Sequence, residues 1–201
     1  MVLLTARAAH VANKKHIRSL EYEFLTIPSD CDDPPLLWAL KYKKYDLTKY
    51  LVEERGIDVT MPYNNGIAIS AYYGLLDLVI LFHKNGADIH LRDELALQWA
   101  AQNGKYDVVR YLVSNGADIH ANNELALCFV VYNGHYDIFR YLHENGAYIH
   151  INNEYPLRCA ARNDHINIVR YLYENGADID VAISNTSDQK TIDILETYKQ
   201  K

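Results

Sequence analysis

Cysteine is scarce in this chain, long apolar runs are missing and positive charge is in the minority, and each shortage excludes a class of function. Only Cys31, Cys128 and Cys159 occur, an odd number without metal-ligand spacing. Cys128 and Cys159 fall inside predicted helices, where free cysteine behaves as a small buried hydrophobe, so the reading is a reducing compartment. No stretch reaches the ~18 apolar residues of a membrane span. The run Val2-Leu3-Leu4 before Arg7 is too short for a signal-peptide core. A soluble, intracellular protein is expected. Lys and Arg number 20 against 26 Asp and Glu, for a net charge of −6. That balance argues against general nucleic-acid binding, which needs a basic surface to displace counterions. It argues equally against docking on anionic membranes. A phosphate-binding glycine loop is also missing, and no Ser/His/Asp or Cys/His pairing stands above chance. Catalytic residues, a cofactor and a metal are therefore not expected, and neither is an enzyme.

What the chain does have is a period. Asn-Gly-Ala-(Asp/Tyr)-Ile-(His/Asp) stands at 85–90, 115–120, 145–150 and 175–180, and Arg-Tyr-Leu at 110–112, 140–142 and 170–172. A fixed spacing in this range marks a stacked-repeat architecture. Within Arg92–Ala121, Leu97, Ala100 and Ala101 share one face of a short helix over about Glu94–Gln102, which Asn103-Gly104 ends. Val108, Val109, Tyr111 and Leu112 define a second helix over about Tyr106–Ser114, ended by Asn115-Gly116. An extended connector, Ala117–Ala121, leads to the next copy. Helices this short are marginal alone, so the units must stack to bury their apolar faces. The units read as 31–61, 62–91, 92–121, 122–151 and 152–181. The first is divergent, with Trp38, Asp46 and Tyr50-Leu51 matching Trp99, Asp107 and Tyr111-Leu112. Residues 1–30 read as a helical N-terminal cap. Residues 182–201 read as a C-terminal cap, with Ile192, Ile194 and Leu195 as its apolar remnant.

These landmarks resemble the ankyrin repeat over about 31–181. The family's Thr-Pro-Leu-His entry stands here as Leu-Ala-Leu-Gln at 95–98, Leu-Ala-Leu-Cys at 125–128 and Tyr-Pro-Leu-Arg at 155–158. Its Ala-Ala-x-x-Gly-His corresponds to Ala100–Lys105, and its Gly-Ala-Asp-Val-Asn to Gly116–His120. The resemblance implies an all-α solenoid of helix-turn-helix units acting as a protein-interaction module. Two departures stand out. Each unit is shorter than the family's usual length, and the missing residues fall between Ala121 and Leu127, so the β-hairpin fingers should be blunt loops. Histidine or aspartate also replaces the family's connector asparagine. The short units, Asn-Asn-Glu turns and Arg-Tyr-Leu helices resemble ankyrin repeats encoded by giant DNA viruses of amoebae, which would place the protein in the host cytoplasm.

The column His90, His120, His150 invites a metal reading. Stacked helix pairs lie about 8–10 Å apart, whereas two ligands on one zinc lie ~3–4 Å apart. Histidine bonding the connector backbone in place of asparagine is the favoured reading. The resemblance leaves open hydroxylation at that position, since Leu112 lies eight residues before His120. Arg110, Arg140 and Arg170, with Lys49, form a stripe that reads as a solvated face paired to Asp107 and Asp137. Tyr50, Tyr111, Tyr141 and Tyr171 read as inter-repeat packing with wet hydroxyls. Rings one repeat apart are too distant for direct stacking without tilting.

The pair before each mid-unit turn residue (Gly74, Gly104 and Gly134, with Lys43 and Asp164 at the equivalent places) changes from copy to copy: Lys41-Tyr42, Tyr72-Tyr73, Gln102-Asn103, Tyr132-Asn133 and Arg162-Asn163. In the family that the chain resembles, these positions line the concave groove and vary with the partner. Exposed Tyr and Arg are typical hot-spot residues. The expected function is binding of a protein partner through that groove by a monomer. A self-assembling structural component is the alternative. A ubiquitin-ligase adaptor is a weaker one, because the residues after Val181 leave little room for a recruitment element.

Overall fold

The computed structural model describes residues 15–27, 34–60 and 65–199. Cys31 and much of the N-terminal cap expected over 1–30 lie outside the described residues. Thirteen helices and no strand are found among those described, an all-α repeat solenoid. They fall into two compact units. One holds the described residues up to Ser70 together with Asp77–Asp88. The other holds Ala71–Leu76 and Ile89 onward.

In the first unit, α1 (residues 15–25) is followed by α2 (Pro35–Lys41) and α3 (Tyr45–Glu53), then α4 (Gly66–Tyr73) and α5 (Leu76–Lys84), whose bulk lies here. Proline opens α2, where its missing N–H has no helical partner to lose and its φ is preset. Leu36, Leu40, Leu47, Leu51, Ile67, Leu78 and Phe82 form the core. Polar contacts hold α1 on α3. The Tyr50 hydroxyl donates to the Glu21 carboxylate at 3.4 Å, and Lys44 pairs with Glu23 at 2.7 Å.

The second unit stacks α6 (Leu91–Gln102) and α7 (Tyr106–Ser114), α8 (Ala121–Asn133) and α9 (Tyr136–Glu144), then α10 (Tyr155–Arg162) and α11 (Ile166–Glu174). It ends on α12 (Ile179–Ser184) and α13 (Gln189–Lys199). Helix α7 has the bounds expected from its apolar spacing. Its Asn-Gly stop works in two parts. The Asn115 amide donates back to the Tyr111 carbonyl at 2.7 Å, and Gly116 takes a φ of +99° that other residues reach only with strain.

Helix α6 differs from expectation at its start. The helical hydrogen-bond pattern begins at Leu91, yet Arg92, Asp93 and Glu94 have φ of 52°, 54° and 67°. Regular α-helix therefore starts after Glu94, and a left-handed turn precedes it. Asn122–Glu124 and Asn152–Glu154 repeat the turn. This is how the shortened unit replaces the finger. Left-handed backbone costs an L-residue about 1–2 kcal/mol, so the turn needs tethers. Gln98 supplies one, donating to the Asp93 carbonyl at 2.5 Å. Arg158 supplies more, donating through Nε to the Asn153 carbonyl at 3.1 Å and through Nη2 to that of Asn152 at 3.2 Å.

Two surface expectations need correcting. Asp107 and Asp137 make no ion pair with Arg110 or Arg140. Arg140 instead meets Glu144 at 3.5 Å, one turn on, where the longer acid reaches it. The column tyrosines pack between repeats without stacking on each other, as expected: Tyr141 meets Tyr106 edge-on at 5.7 Å and Tyr171 meets Tyr136 edge-on at 6.1 Å, each partner opening the preceding unit's second helix. Their hydroxyls need the second correction. The Tyr171 hydroxyl is bonded to His143 Nδ1 at 2.9 Å rather than left to water. At the C-terminal end Leu195 is fully buried with Thr191 and Tyr198, while Ile192 and Ile194 are half-buried.

Candidate functional site

The candidate site is built where each first helix ends. Its mid-unit glycine has a second duty besides positive φ. His135 lies over Gly104 and His165 over Gly134, where an added Cβ would come within 2.8 and 2.5 Å of the imidazole. Each ring donates from Nε2 to the carbonyl of the preceding unit, His135 to Gln102 and His165 to Tyr132, both at 3.0 Å. The carbonyl ends of α6 and α8 are thereby pinned by the next unit, and the side chains there project from a fixed base.

In the first unit, Lys41 closes α2 and Tyr42 caps it. Both are exposed; Tyr42 leans on Trp38 at 4.8 Å and under the Lys41 ammonium at 5.9 Å. In the second unit, Tyr72 and Tyr73 close α4 at 42% and 40% exposure, in edge contact at 5.0 Å. Tyr72 also meets Trp99 edge-on at 5.9 Å. Gln102, Tyr132 and Arg162 are exposed at the ends of α6, α8 and α10. Asn103, Asn133 and Asn163 are occupied differently. Their amides donate to the carbonyls of Trp99, Phe129 and Cys159 at 2.8, 2.8 and 2.9 Å. The first member of each pair is therefore the freer contact, and the asparagine is committed to the helix end.

Sequence reasoning missed the residues three or four positions upstream on the same faces, Trp99, Phe129, Arg158 and Cys159, and Tyr155 one turn further back. Helical spacing was the available signal, since residues three and four apart share a face. Tyr132, Tyr155, Arg158, Cys159, Arg162, Asn163 and Thr186 line a cavity of about 350 Å³ at the α10 end. Its wall groups are neutral apart from the two arginines. Burial pushes the Tyr155 hydroxyl up to about 12, and burial also raises the Cys159 thiol. Nearby Cys128 is pushed up to about 11, again chiefly by burial.

The connector histidines do bond protein groups, through partners the sequence reading did not name. His90, His120 and His150 approach the carboxylates of Glu94, Glu124 and Glu154 through Nδ1 at 2.5, 2.6 and 3.1 Å. Those glutamates are only 4%, 2% and 7% exposed. Glu124 also accepts from the Tyr148 backbone N–H and Glu154 from that of Asp178, each at 3.3 Å. His150 also donates through Nε2 to the Asn175 carbonyl at 3.1 Å, a backbone bond to the end of α11 rather than to the connector expected. Glu124 and Glu154 thus join their own left-handed turns to the next connector. Among the described residues no group of three or more His, Cys, Asp or Glu side chains could hold a metal ion.

Paired short helices in a 30-residue register, many closed by Asn-Gly and stitched to the next copy, define a helical repeat protein. The family model described as Ankyrin repeats (3 copies) matches residues 66–153 and 97–183, more than half of the chain. The chain belongs to the ankyrin-repeat family. Members of that family are generally protein–protein interaction modules and typically non-catalytic. A search of curated proteins found no match. No helix among the described residues is long and apolar enough to cross a membrane.

Proposed function

We propose that this chain is a non-enzymatic interaction module that binds a partner protein through the face carrying the ends of its first helices. Tyr72, Tyr73, Gln102, Tyr132 and Arg162 make the contacts, and Asn103, Asn133 and Asn163 hold the helix ends beneath them. Lys41 and Tyr42, the counterpart positions in the first unit, join the reading through the repeat register. The array comprises units 31–61, 62–91, 92–121, 122–151 and 152–181 between two caps. The observation that carries the reading is exposed aromatic surface recurring at the ends of the first helices. Tyr72, Tyr73 and Tyr132 stand 42%, 40% and 59% exposed at the ends of first helices, and Tyr42 at the equivalent position is 54% exposed. Tyrosine offers large contact area for little side-chain entropy, which is why it recurs in hot spots.

Titration calorimetry on Tyr72→Ala, Tyr73→Ala and Tyr132→Ala should show each losing about 1–2 kcal/mol of partner binding. A partner whose affinity ignores all three changes together sinks the assignment. Self-assembly, the alternative, predicts mass growth with concentration in sedimentation; a monomer at micromolar concentration is expected. We further infer a host-cell cytoplasm as its location, a reading that rests on the short units' resemblance to those encoded by giant DNA viruses of amoebae.

A further inference from the structure

The cavity at the end of α10 combines features that the rest of the face lacks. Arg158 and Arg162 both line it, in a chain whose net charge is −6. Neither forms an ion pair with any carboxylate among the described residues. The nearest acids are otherwise engaged. Asp188 accepts from the Thr191 backbone N–H at 2.9 Å and from its hydroxyl at 2.5 Å, and Asp164 is paired with Lys190. Asp188 lies within electrostatic reach of Arg162 but is not bonded to it.

The two arginines are prepared differently. Arg158 is preset: besides its bonds to Asn152 and Asn153 it donates through Nη1 to the Asn185 carbonyl at 2.6 Å. Three of a guanidinium's five N–H groups are then used on carbonyls, which fixes the plane without neutralising the charge. Arg162, exposed on the last turn of α10, has no hydrogen bond and stays adjustable. Tyr132, the half-buried Tyr155 and the buried Cys159 give the cavity a partly apolar lining. Positive charge with no internal partner, partly withdrawn from water, is complementary to a carboxylate. From α10 back through α8 and α6 to α4 the same face carries Tyr132, Phe129, Trp99 and Tyr72, which suit apolar side chains.

We propose that this cavity is an acidic-residue subsite, taking an Asp or Glu side chain of a partner segment whose apolar residues lie along the tyrosines of α8 and α4. The proposal rests on the first-helix face being the interaction surface, and its test separates the two ideas. A random displayed peptide library selected on the full chain provides the probe. Selected peptides should carry an acidic residue at a fixed distance from aromatic or aliphatic ones. A synthetic peptide of the selected sequence should lose about tenfold in affinity on Arg162→Glu. Replacing the peptide's acid with Lys should restore binding to that variant. Arg162 makes no internal bond, so its reversal leaves the fold intact by circular dichroism, whereas Arg158 is left alone because it tethers the turn. Peptides that respond to Tyr72→Ala and Tyr132→Ala but not to Arg162→Glu overturn the subsite and leave the face standing. Peptides indifferent to all three changes, a library without binders, or a phosphotyrosine peptide preferred tenfold over the acidic one overturn the proposal as well; indifference to all three also removes the face.

Discussion

Residue by residue, the chain is shaped by a small set of side chains that act across repeats. His135 and His165 rest on the glycines of the preceding units and hold the last carbonyls of α6 and α8. Glycine is needed at Gly134 for two independent reasons, a φ of +74° and an imidazole 2.5 Å from where a Cβ would sit. Gly116 has only the first, a φ of +99° with open space around it. Gly134→Ala should therefore lose about 2–3 kcal/mol in chemical denaturation, the sum of left-handed strain and overpacking. Gly116→Ala should lose about 1 kcal/mol. Equal losses would show that the histidine seat contributes nothing. The glycine at each site was legible in the sequence as a helix stop. Its role as a floor for the next unit's imidazole was not, because that contact joins residues about one repeat apart.

At the scale of elements, the left-handed turn is the device that lets a unit close in 30 residues. Asn122-Asn123 and Asn152-Asn153 suit it, since asparagine tolerates left-handed backbone better than most residues. Arg92-Asp93 occupies the same conformation with less suitable residues and takes its support from Gln98. Asn122→Val and Asn123→Val should each cost about 1–2 kcal/mol, because a β-branched side chain at positive φ is strained. Asn167→Val, at an exposed helical position, should stay within about 0.5 kcal/mol. Thermal melts that rank the three alike would remove the turn as a source of strain. The run Asn-Asn-Glu could be read as a turn, and was. That its glutamate goes inward could not be read, because an acidic residue after two asparagines has the pattern of solvated loop. Glu94, Glu124 and Glu154 each meet the histidine four residues earlier, and Glu124 and Glu154 also accept from the next connector's backbone N–H. Only stacking brings that N–H within reach.

On the scale of the molecule, a stack stabilised by neighbour contacts should yield from its ends. Helix α13 packs on α10 and α12 through Leu195, Thr191 and Tyr198, and the Tyr198 ring meets Tyr173 at 5.4 Å. Leu195→Ala should cost about 2–5 kcal/mol locally. In hydrogen exchange, the amides of α10 to α13 should lose protection while those of α6 and α7 keep theirs, the expectation for a quasi-one-dimensional array. Uniform loss across the second unit would mean that it unfolds as a single block.

The period, the apolar spacing and the Asn-Gly stops determined the fold class, the bounds of α7 and the family, because these are local signals repeated in register and a repeat folds by local rules. The changing pair before each mid-unit turn residue was likewise visible as a column. Tertiary structure alone decided which of those residues are free to meet a partner. It turned the asparagines back onto the helix ends, set Tyr72 against Trp99, and gathered Arg158, Arg162 and Tyr132 around one cavity. The asparagine bonds and the Arg158–Arg162 pair follow the four-residue spacing of a helix, but setting Tyr72 against Trp99 and Tyr132 beside the arginines depends on the adjacent copy, a distance in space that no spacing along the chain encodes.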